Sequence, residues 1–433
     1  MAKKKIYVLG GGTIFHVRPH LALCAAAYGK TAISLATSLE GSLDLLRDIG
    51  TEVHLGLTKM AIGSQMERRN HQRTHMIGET NADVADFLEK IVTDPNTSMI
   101  FMSVALCDFE GYIIGDWNYQ EDFYPLTKSG KDQPRLQTKD GGIDMFLKPA
   151  DKLIKEIRKQ RKDIFLVGFK TTAGASEDDQ YTSGLGLLKK NSCNLVLAND
   201  VQTGLGMIIV PELAAYSVTH DRKELLKNLV EISMLREKNS FTRTEIVGDE
   251  TNLIKWDGPE IPKTLRTVVD WCVEAGAYKP FNDVTVGHFG FKAGEGRLFS
   301  SRRKQNFNRR ECRDLVQVDF WDNRQVAYGA KPSAGARSQY VVLSRYNDLN
   351  CIVHFHCQKK AHSMVPVRSQ REFECGSHEC GKNTADGMIR VNDHLAAVML
   401  DKHGPNIVFS DKADPQMVID FIMSNFDLSK QTR

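Results

Sequence analysis

Residues 350–357 read NCIVHFHC, and this segment decides what we expect of the C-terminal part of the chain. The apolar run Cys351, Ile352, Val353 is typical of a buried strand, and His354 and His356 follow two residues apart. Side chains at i and i+2 of a strand project to the same side, so the two imidazoles should form a pair. Such a pair chelates a divalent ion such as Zn²⁺, although two ordinary buried histidines would give the same pattern.

A third ligand is expected from His403, which lies in MLDKHGPNIVF at residues 399–409. Apolar residues on both sides predict a strand–turn–strand, and Gly404 permits a tight backbone. Three histidines and one open coordination position are typical of catalytic zinc sites rather than closed structural ones. We therefore predict that His354, His356 and His403 bind Zn²⁺ or a similar divalent metal.

With its surroundings, this segment resembles the class II aldolase/adducin family, which includes zinc-dependent sugar-phosphate aldolases, 4-epimerases and a dehydratase. The likeness rests on KPSAG at 331–335, VHFH at 353–356 and the pair His403-Gly404, in the family's order over about the last third of the chain. The resemblance implies an α/β/α domain over residues 240–433 that acts on a phosphorylated sugar or similar anion. It also implies substrate-phosphate contacts from Ser300, Ser301, Arg302 and Ser333.

The family motif ends in a glutamate that carries out proton transfer, and this chain has Gly335 at that position. Loss of a general acid/base is expected to lower the rate by about a hundredfold or more. Glu372, Glu374 and Glu379, between the histidine pair and His403, are candidate replacements, and we select Glu379 as the catalytic candidate.

A basic cluster follows the strand that is expected to meet the substrate phosphate. Clusters of this kind are commonly solvated surface, and anion recognition next to the phosphate pocket is the alternative interpretation. Its members are Arg302, Arg303, Lys304, Arg309 and Arg310.

The composition is that of an ordinary globular protein, with 433 residues, 41% of them hydrophobic and 26% charged. This length predicts two domains. The net charge of +3 is too balanced to indicate a nucleic-acid partner. Nine irregularly spaced cysteines indicate a reducing compartment. The first residues lack signal-peptide features and no apolar run is long enough to span a bilayer, so we expect a cytoplasmic protein without a membrane partner.

The N-terminal half alternates short apolar runs with helical patterns, which predicts a doubly wound, Rossmann-like parallel sheet. Residues 6–9 predict a strand that leads into Gly10-Gly11-Gly12-Thr13, followed by a helix over 20–28 and a strand over 31–35. In such sheets ligands bind beyond the carboxyl ends of the strands. The glycine segment could hold a phosphate at a helix N-terminus, or it could be an ordinary tight turn. Asp108, at a later strand end, could equally be a ligand or a loop cap.

The strand ends together resemble phosphopantothenoylcysteine synthetase, the CTP-dependent ligase of coenzyme A synthesis. The likeness rests on the opening Gly-Gly-Thr, SVALCDF at 103–109, VGFKTT at 167–172 and LVLANDV at 195–201. The resemblance implies a domain over residues 1–239 that binds CTP or another nucleotide with Mg²⁺. It implies phosphate contacts from Gly11, Gly12 and Thr13, and a base and ribose region lined by Asp108, Phe169, Asn199 and Asp200.

Two segments of this half depart from that family. The segment carrying the family's catalytic asparagine is replaced by HVRPHLALCAAAYG at residues 16–29. The family's mobile lysine loop corresponds to residues 135–138, where Arg135 could neutralise a phosphate with bidentate geometry. Nucleotide binding thus stays the prediction, whereas the changes argue against joining phosphopantothenate to cysteine.

Two classes of function are consistent with these patterns. The first is a bifunctional enzyme, with a CTP-binding, ligase-like domain fused to a zinc-dependent aldolase- or epimerase-like domain. The second is a non-catalytic or regulatory protein that keeps both folds; a single pathway enzyme that makes a nucleotide-linked metabolite is a further possibility. We favour the bifunctional enzyme, because all three histidine positions persist while the residues around them change. Both related families form oligomers, so a homo-oligomer is expected.

Overall fold

The computed structural model describes residues 3–64, 73–115, 125–321 and 324–432. By its internal contacts the chain forms two compact units. Unit 1 comprises Met1–Val210 and Tyr216–Ser233, and unit 2 comprises Pro211–Ala215 and Met234–Arg433. The predicted domain boundaries, 1–239 and 240–433, stay a prediction. Within the described ranges, every helix is too short or too polar to cross a lipid bilayer.

Unit 1 is built around a sheet with eight strands in the described part of the chain. Neighbouring strands from Leu195–Asp200 to Thr74–Gly78 run parallel. Numbered along the chain, these six strands lie in the order 3-2-1-4-5-6, which is the order of a doubly wound Rossmann-like sheet. The predicted fold class of this half is confirmed. Across the sheet the strands are Ala215–Thr219, Gly206–Ile209, Leu195–Asp200, Phe165–Thr172, Thr97–Met102, Lys4–Gly10, Thr51–Thr58 and Thr74–Gly78.

One helix of this half begins at a recognisable signal. Asn81–Thr93 starts with a capping box, in which the Thr80 hydroxyl accepts from the Asp83 amide and the Asp83 carboxylate accepts from the Thr80 amide. Its buried residues recur every three or four positions, so one face packs inward. The helices are Lys30–Leu45, Asn81–Thr93, Ile154–Gln160, Glu177–Asn191 and Arg222–Arg236, with 3₁₀ turns at Lys59–Ser64 and Thr138–Asp140.

Two secondary-structure predictions are wrong in this unit. The predicted helix over 20–28 contains the strand Leu21–Cys24, which forms a hairpin with Ile14–Arg18. Strand pairing there overrides the helical preference of leucine and alanine. The predicted strand over 31–35 lies in the helix Lys30–Leu45, where buried residues recur at helical spacing. A second hairpin pairs Phe109–Ile113 with Met145–Pro149.

Unit 2 is built around a mostly antiparallel sheet with ten strands in the described part of the chain. Val353 packs with buried residues of the helices Lys263–Glu274 and Pro415–Asn425. Its neighbour Ile352 packs with residues of Ala336–Leu343 and His378–Gly387. Helices therefore cover both faces, and the predicted α/β/α class is confirmed. Across the sheet the strands are Thr244–Val247, Arg324–Tyr328, Leu315–Trp321, Arg297–Ser301, His288–Lys292, Cys351–His354, Gly404–Phe409, Leu395–Leu400 and Val367–Arg368, with Ile389–Asn392 also on Leu395–Leu400.

Shorter elements complete this unit. Pro280–Phe281 pairs with Val284–Thr285, and Gln358–Lys359 pairs with Phe426–Asp427. Two 3₁₀ turns lie at Glu250–Asn252 and Arg310–Arg313.

Candidate functional site

His354, His356 and His403 come together at the ends of neighbouring strands. His354 ends the strand Cys351–His354, which pairs with Gly404–Phe409, and His403 precedes that second strand. One ligand nitrogen from each imidazole lies within 4.8 Å of the others, and the Nε2 atoms of His354 and His403 are 3.2 Å apart. Nitrogens bound to one tetrahedral zinc ion lie about 3.3 Å apart, so the closest pair already has nearly that spacing. We call these residues the three-histidine group.

The turn at Gly404 lets His403 reach its position. Gly404 has a φ of +146°, and a Cβ atom there would lie 2.1 Å from the carbonyl oxygen of Phe355. A side chain at this position would therefore collide with backbone. The carbonyl oxygen of His403 also accepts a hydrogen bond of 2.9 Å from the Thr432 hydroxyl. Both contacts hold the backbone that carries the third imidazole.

The carbonyl of Pro405 fixes the tautomer of His354. Nδ1 of His354 lies 2.8 Å from this oxygen. A carbonyl only accepts hydrogen bonds, so Nδ1 carries the proton and donates, which leaves the lone pair on Nε2. That lone pair faces Nε2 of His403. Carbonyl groups orient metal-binding imidazoles in proteins in the same way.

Burial favours the neutral, metal-binding form of His354 and His403. Each residue of the three-histidine group is at most 6% exposed. Desolvation lowers the pKa of His354 to about 4, although its hydrogen bond to Pro405 raises this value. The pKa of His403 lies well below its ordinary value, first through desolvation and then through the neighbouring histidines. These two imidazoles therefore require no deprotonation to bind a metal at neutral pH.

The donor set fits a divalent transition metal. Within the described ranges, the group of three or more potential ligands brought together consists of histidines alone, without a carboxylate or thiolate. Three neutral imidazoles suit Zn²⁺ and its neighbours in the first transition series and are poor ligands for Mg²⁺ or Ca²⁺. Nδ1 of His403 is buried and has no hydrogen-bond partner among the described residues.

A fourth histidine, His288, lies against this group. It is directly opposite His354 in the antiparallel strand pair, and the two ring centroids are 4.7 Å apart. The spacing patterns along the sequence do not reveal His288 as a site residue, because a neighbouring strand brings it here. The class II aldolase family has an asparagine at the position of His288 in GHFGFK (287–292), and this difference is the signal that could have revealed it.

The structure does not bring Glu379 into the three-histidine group. Glu379 lies in the first turn of the helix His378–Gly387, where its carboxylate accepts hydrogen bonds from the Ser240 amide at 2.9 Å and the Ser240 hydroxyl at 2.7 Å. These bonds attach the chain at residue 240 to the helix. A catalytic role for Glu379 stays a prediction that this position does not support.

Two of the serines predicted to meet substrate phosphate are enclosed. Ser300 and Ser301 have no exposed surface, and the Ser300 hydroxyl exchanges hydrogen bonds with the Gln339 amide. Ser333 is half-buried, and its hydroxyl accepts a 3.2 Å hydrogen bond from the amide of Gly335. The Ser301 carbonyl accepts from the Ser333 amide at 2.7 Å, so the strand end and the loop 331–335 are joined.

The basic cluster consists partly of surface ion pairs. Arg309 pairs with Asp283 at 2.8 Å, and Arg310 pairs with Asp257. Arg302 is also paired: its Nη1 lies 3.8 Å from a carboxylate oxygen of Glu250, and its Nη2 donates to the Glu311 carbonyl at 2.7 Å. Its side chain is only 10% exposed, and its Nε is buried without a hydrogen-bond partner among the described residues. The solvated interpretation therefore fits Arg309 and Arg310, whereas Arg302 is enclosed and its Nε is the donor left for an anion.

In unit 1, the buried Thr13 links neighbouring segments through hydrogen bonds of its hydroxyl. It has no exposed surface, its hydroxyl donates to Asn81 Oδ1 at 2.6 Å, and the same hydroxyl accepts from the Cys107 amide at 2.8 Å. The Gly11 carbonyl oxygen accepts a 2.9 Å hydrogen bond from the Ala105 amide, which follows the neighbouring strand. The backbone also crowds Gly12, because a Cβ there would lie 1.9 Å from the carbonyl oxygen of residue 25. The hydroxyl expected to meet a phosphate is thus enclosed.

Asp200 anchors the loops around its strand end. Its carboxylate accepts from the Thr172 hydroxyl and from four backbone amides at 2.9–3.0 Å. The donors, led by the Thr203 amide, hold the pKa of Asp200 far below its ordinary value. Five donors occupy the lone pairs of this carboxylate, so its position is explained by loop structure. The four amides belong to Gly174, Ala175, Gln202 and Thr203.

The remaining predicted nucleotide-site residues are accessible. Asp108 is exposed and pairs with Lys152. Phe169 and Asn199 are half-buried near the ends of adjacent parallel strands. Arg135 is exposed in the segment that follows Gly130. These side chains stay candidates for contacts with a nucleotide.

Comparison with known proteins gives a sequence match for the N-terminal half. No family model matches the chain. The chain is 24% identical over 199 residues to the coenzyme A biosynthesis bifunctional protein CoaBC of Thermococcus kodakarensis. The match covers 46% of this chain and 42% of the relative, so the chain spans less than half of that protein's length.

Solved structures are similar to each half. The DNA/pantothenate metabolism flavoprotein from Streptococcus pneumoniae is 22% identical, covers 53% of this chain and 97% of its own, and has a TM-score of 0.43. L-fuculose 1-phosphate aldolase is 15% identical over 39% of this chain and 83% of its own, with a TM-score of 0.31. The corresponding enzyme from Thermus thermophilus is 16% identical over 36% and 84%, with a TM-score of 0.27. The two predicted resemblances are confirmed.

Proposed function

We propose that this protein is a bifunctional enzyme. Its C-terminal part, residues 240–433, would be a metal-dependent lyase or epimerase for a phosphorylated sugar or similar small anion. Its N-terminal part, residues 1–239, would bind CTP or another nucleotide together with Mg²⁺ and act as a ligase-like domain. The observation that carries the proposal is the three-histidine group, in which the Nε2 lone pair of His354 faces His403 inside the protein.

The three-histidine group would hold the metal, and the metal when bound supplies a Lewis acid for negative charge developing on a substrate oxygen. The residues of the chain would determine the rest of the site. Pro405 orients His354 through its carbonyl, and burial of all three imidazoles excludes water from their edges. Exclusion of water strengthens electrostatic interactions with a bound anion.

Arg302 and Ser333 would bind the anionic end of the substrate. Arg302 forms a backbone bridge to Pro332, next to the half-buried hydroxyl of Ser333. Nη2 of Arg302 donates to the Glu311 carbonyl and Nη1 lies 3.8 Å from Glu250, whereas the buried Nε has no hydrogen-bond partner among the residues that the structure describes. A guanidinium in partial burial is the group that proteins use to bind phosphate by paired hydrogen bonds.

The nucleotide proposal rests on the sequence similarity to the coenzyme A biosynthesis protein and on the order of the parallel strands. The order reverses between Lys4–Gly10 and Thr97–Met102, and ligands of doubly wound sheets bind beyond the strand ends at such a point. Asp108, Phe169 and Asn199 would contact the base and ribose, and Arg135 would neutralise a phosphate.

The metal-dependent activity is tested with metal-free protein, to which Zn²⁺ is added before a turnover screen on ketose and aldose phosphates. We expect about one zinc per chain and turnover only in its presence. The double variant His354→Ala, His356→Ala should bind no zinc, whereas His394→Ala, an exposed histidine of the same unit, should behave as the wild type. Wild-type protein that binds no transition metal would contradict the proposal.

The nucleotide proposal has its own test. CTP with Mg²⁺ should raise the thermal midpoint of the full chain, and Phe169→Ala should reduce that shift. No shift with CTP, UTP, ATP or GTP would contradict it.

A non-catalytic, metal-binding role is the second candidate. It is favoured by Gly335 and by the lack of a carboxylate in the three-histidine group within the described residues. Zinc binding without turnover of any sugar phosphate would favour this candidate. A homo-oligomer also stays a prediction, and light scattering of the purified chain would test it.

A further inference from the structure

A fourth imidazole, that of His288, lies beside His354, outside the three histidines whose ligand atoms lie within 4.8 Å of one another. His288 begins the strand His288–Lys292 and is directly opposite His354 in the antiparallel pair. Directly opposite residues project from the same face of a sheet. The ring centroids of His288 and His354 lie 4.7 Å apart with an interplanar angle of 38°. Two neighbouring strands thus place their imidazoles side by side.

The Nε2 atom of His288 is buried and lacks a partner. His288 is 6% exposed, and this nitrogen has no hydrogen-bond partner in the described part of the chain. Buried polar atoms in proteins are nearly always hydrogen-bonded, so an exception requires an explanation. A bound metal ion is a partner that this environment, lined by neutral imidazoles, can accommodate.

Gly335 provides the space for the His288 ring. A Cβ atom at position 335 would lie 3.1 Å from Cε1 and 3.3 Å from Nδ1 of His288. The φ of Gly335 is −80°, which any residue can adopt, so backbone conformation does not require glycine here. The close approach of the His288 ring to position 335 explains the glycine instead. An imidazole from the neighbouring strand therefore lies over the position at which the sequence has lost a carboxylate.

We propose that Nε2 of His288 is a fourth nitrogen ligand of the metal bound by His354, His356 and His403. This inference rests on the metal site of the proposed function. Movement of the ring toward an ion would break no hydrogen bond of Nε2, because that atom makes none to the described residues. Four imidazoles would fill the positions that a tetrahedral zinc ion offers, so His288 would take the position that a three-histidine site leaves open.

The test is X-ray absorption spectroscopy of the zinc-loaded full chain, combined with a chelator competition titration. Wild-type protein should show four imidazole nitrogens. His288→Asn should show three and an oxygen ligand, with zinc affinity reduced at least tenfold. His394→Asn, which removes an exposed histidine of unit 2, should match the wild type in both measurements.

Gly335→Ala provides a second variant that keeps every histidine. Its new Cβ would lie 3.1 Å from Cε1 of His288, so the ring must move by a few tenths of an ångström, and a loss of zinc affinity smaller than that of His288→Asn is expected. This variant decides the question if His288→Asn does not fold. Three imidazoles in wild-type protein, with both variants unchanged, would overturn the role of His288 and leave the metal site intact. Wild-type protein that binds no zinc would instead remove the proposed function itself.

Discussion

The glycine segment of unit 1 (residues 10–13) and the histidine turn of unit 2 (residues 401–404, with His354 beside it) both lie at strand ends and have buried polar side chains. The two differ in the partners of their buried polar atoms. Thr13 is fully buried, and its hydroxyl is bonded to Asn81 and to the Cys107 amide. In the histidine turn, Nε2 of His354 faces Nε2 of His403, and Nδ1 of His403 lacks a partner among the described residues. Satisfied buried groups stabilise a fold, whereas converging buried ligand atoms indicate a site for a ligand.

The largest effect is expected for metal binding by His403→Ala. Removal of one of three protein ligands should lower zinc affinity by more than about 100-fold, because even residues that only orient ligands contribute 10- to 100-fold. Chelator competition measures this change. An affinity within threefold of the wild type would show that the histidine turn does not bind the metal.

Acidification of the metal-free protein should have the next largest effect. His354 has a pKa of about 4 in the folded protein and an ordinary value of 6.5, so the unfolded chain binds more protons between these values. Stability is therefore full above pH 6.5 and is lost as the pH falls toward 4, by about 3 kcal/mol for this group. The rings of His403, His288 and His356 surround His354, and these three residues are unchanged in the variant His354→Ala.

Denaturant unfolding of the wild type and His354→Ala at pH 7 and pH 4.5 measures the contribution. The variant should lose less stability on acidification than the wild type. Equal losses in both proteins would mean that His354 titrates normally in the folded state.

A smaller effect is expected when the satisfied network of unit 1 is broken. Thr13→Val keeps the shape but removes the hydroxyl that bonds Asn81 and the Cys107 amide, which remain 3.2 Å from each other, so the unfolding free energy should fall by roughly 1.5 kcal/mol. Thr13→Ser keeps the hydroxyl and serves as the control. Equilibrium denaturation measures both. An unchanged stability in Thr13→Val would remove the contrast between the two strand ends.

The smallest effect is expected for Glu379→Ala. It removes two hydrogen bonds to Ser240 near the surface and should lower stability by about 1 kcal/mol, with zinc affinity unchanged. Glu379→Gln, which keeps an acceptor for Ser240, is the matched control. A zinc affinity more than tenfold lower in Glu379→Ala would connect this carboxylate to the three-histidine group.

Local spacing in the sequence predicts the His354–His356 pair and the turn at Gly404, although His403 lies 49 residues from His354 and meets it through strand pairing. His354 and His356 are two residues apart near a strand end, and Gly404 marks the turn that carries His403. The partners that decide the remaining site residues are distant in the chain. Asn81 lies 68 residues from Thr13, and His288 reaches His354 only through strand pairing. Spacing along one segment contains no information about such partners.

The wrong prediction over residues 20–28 has a related cause. Leucine and alanine favour a helix when considered locally, whereas Leu21–Cys24 satisfies its backbone by pairing with Ile14–Arg18. The parallel sheet is predictable because apolar strands that alternate with helices leave few other architectures.

Anomalous diffraction at the zinc absorption edge, from crystals of the full chain grown with Zn²⁺, tests the central claim most directly. One peak should lie about 2.0–2.1 Å from a nitrogen of each of His354, His356 and His403. A zinc-saturated crystal with no peak in the three-histidine group would contradict the account.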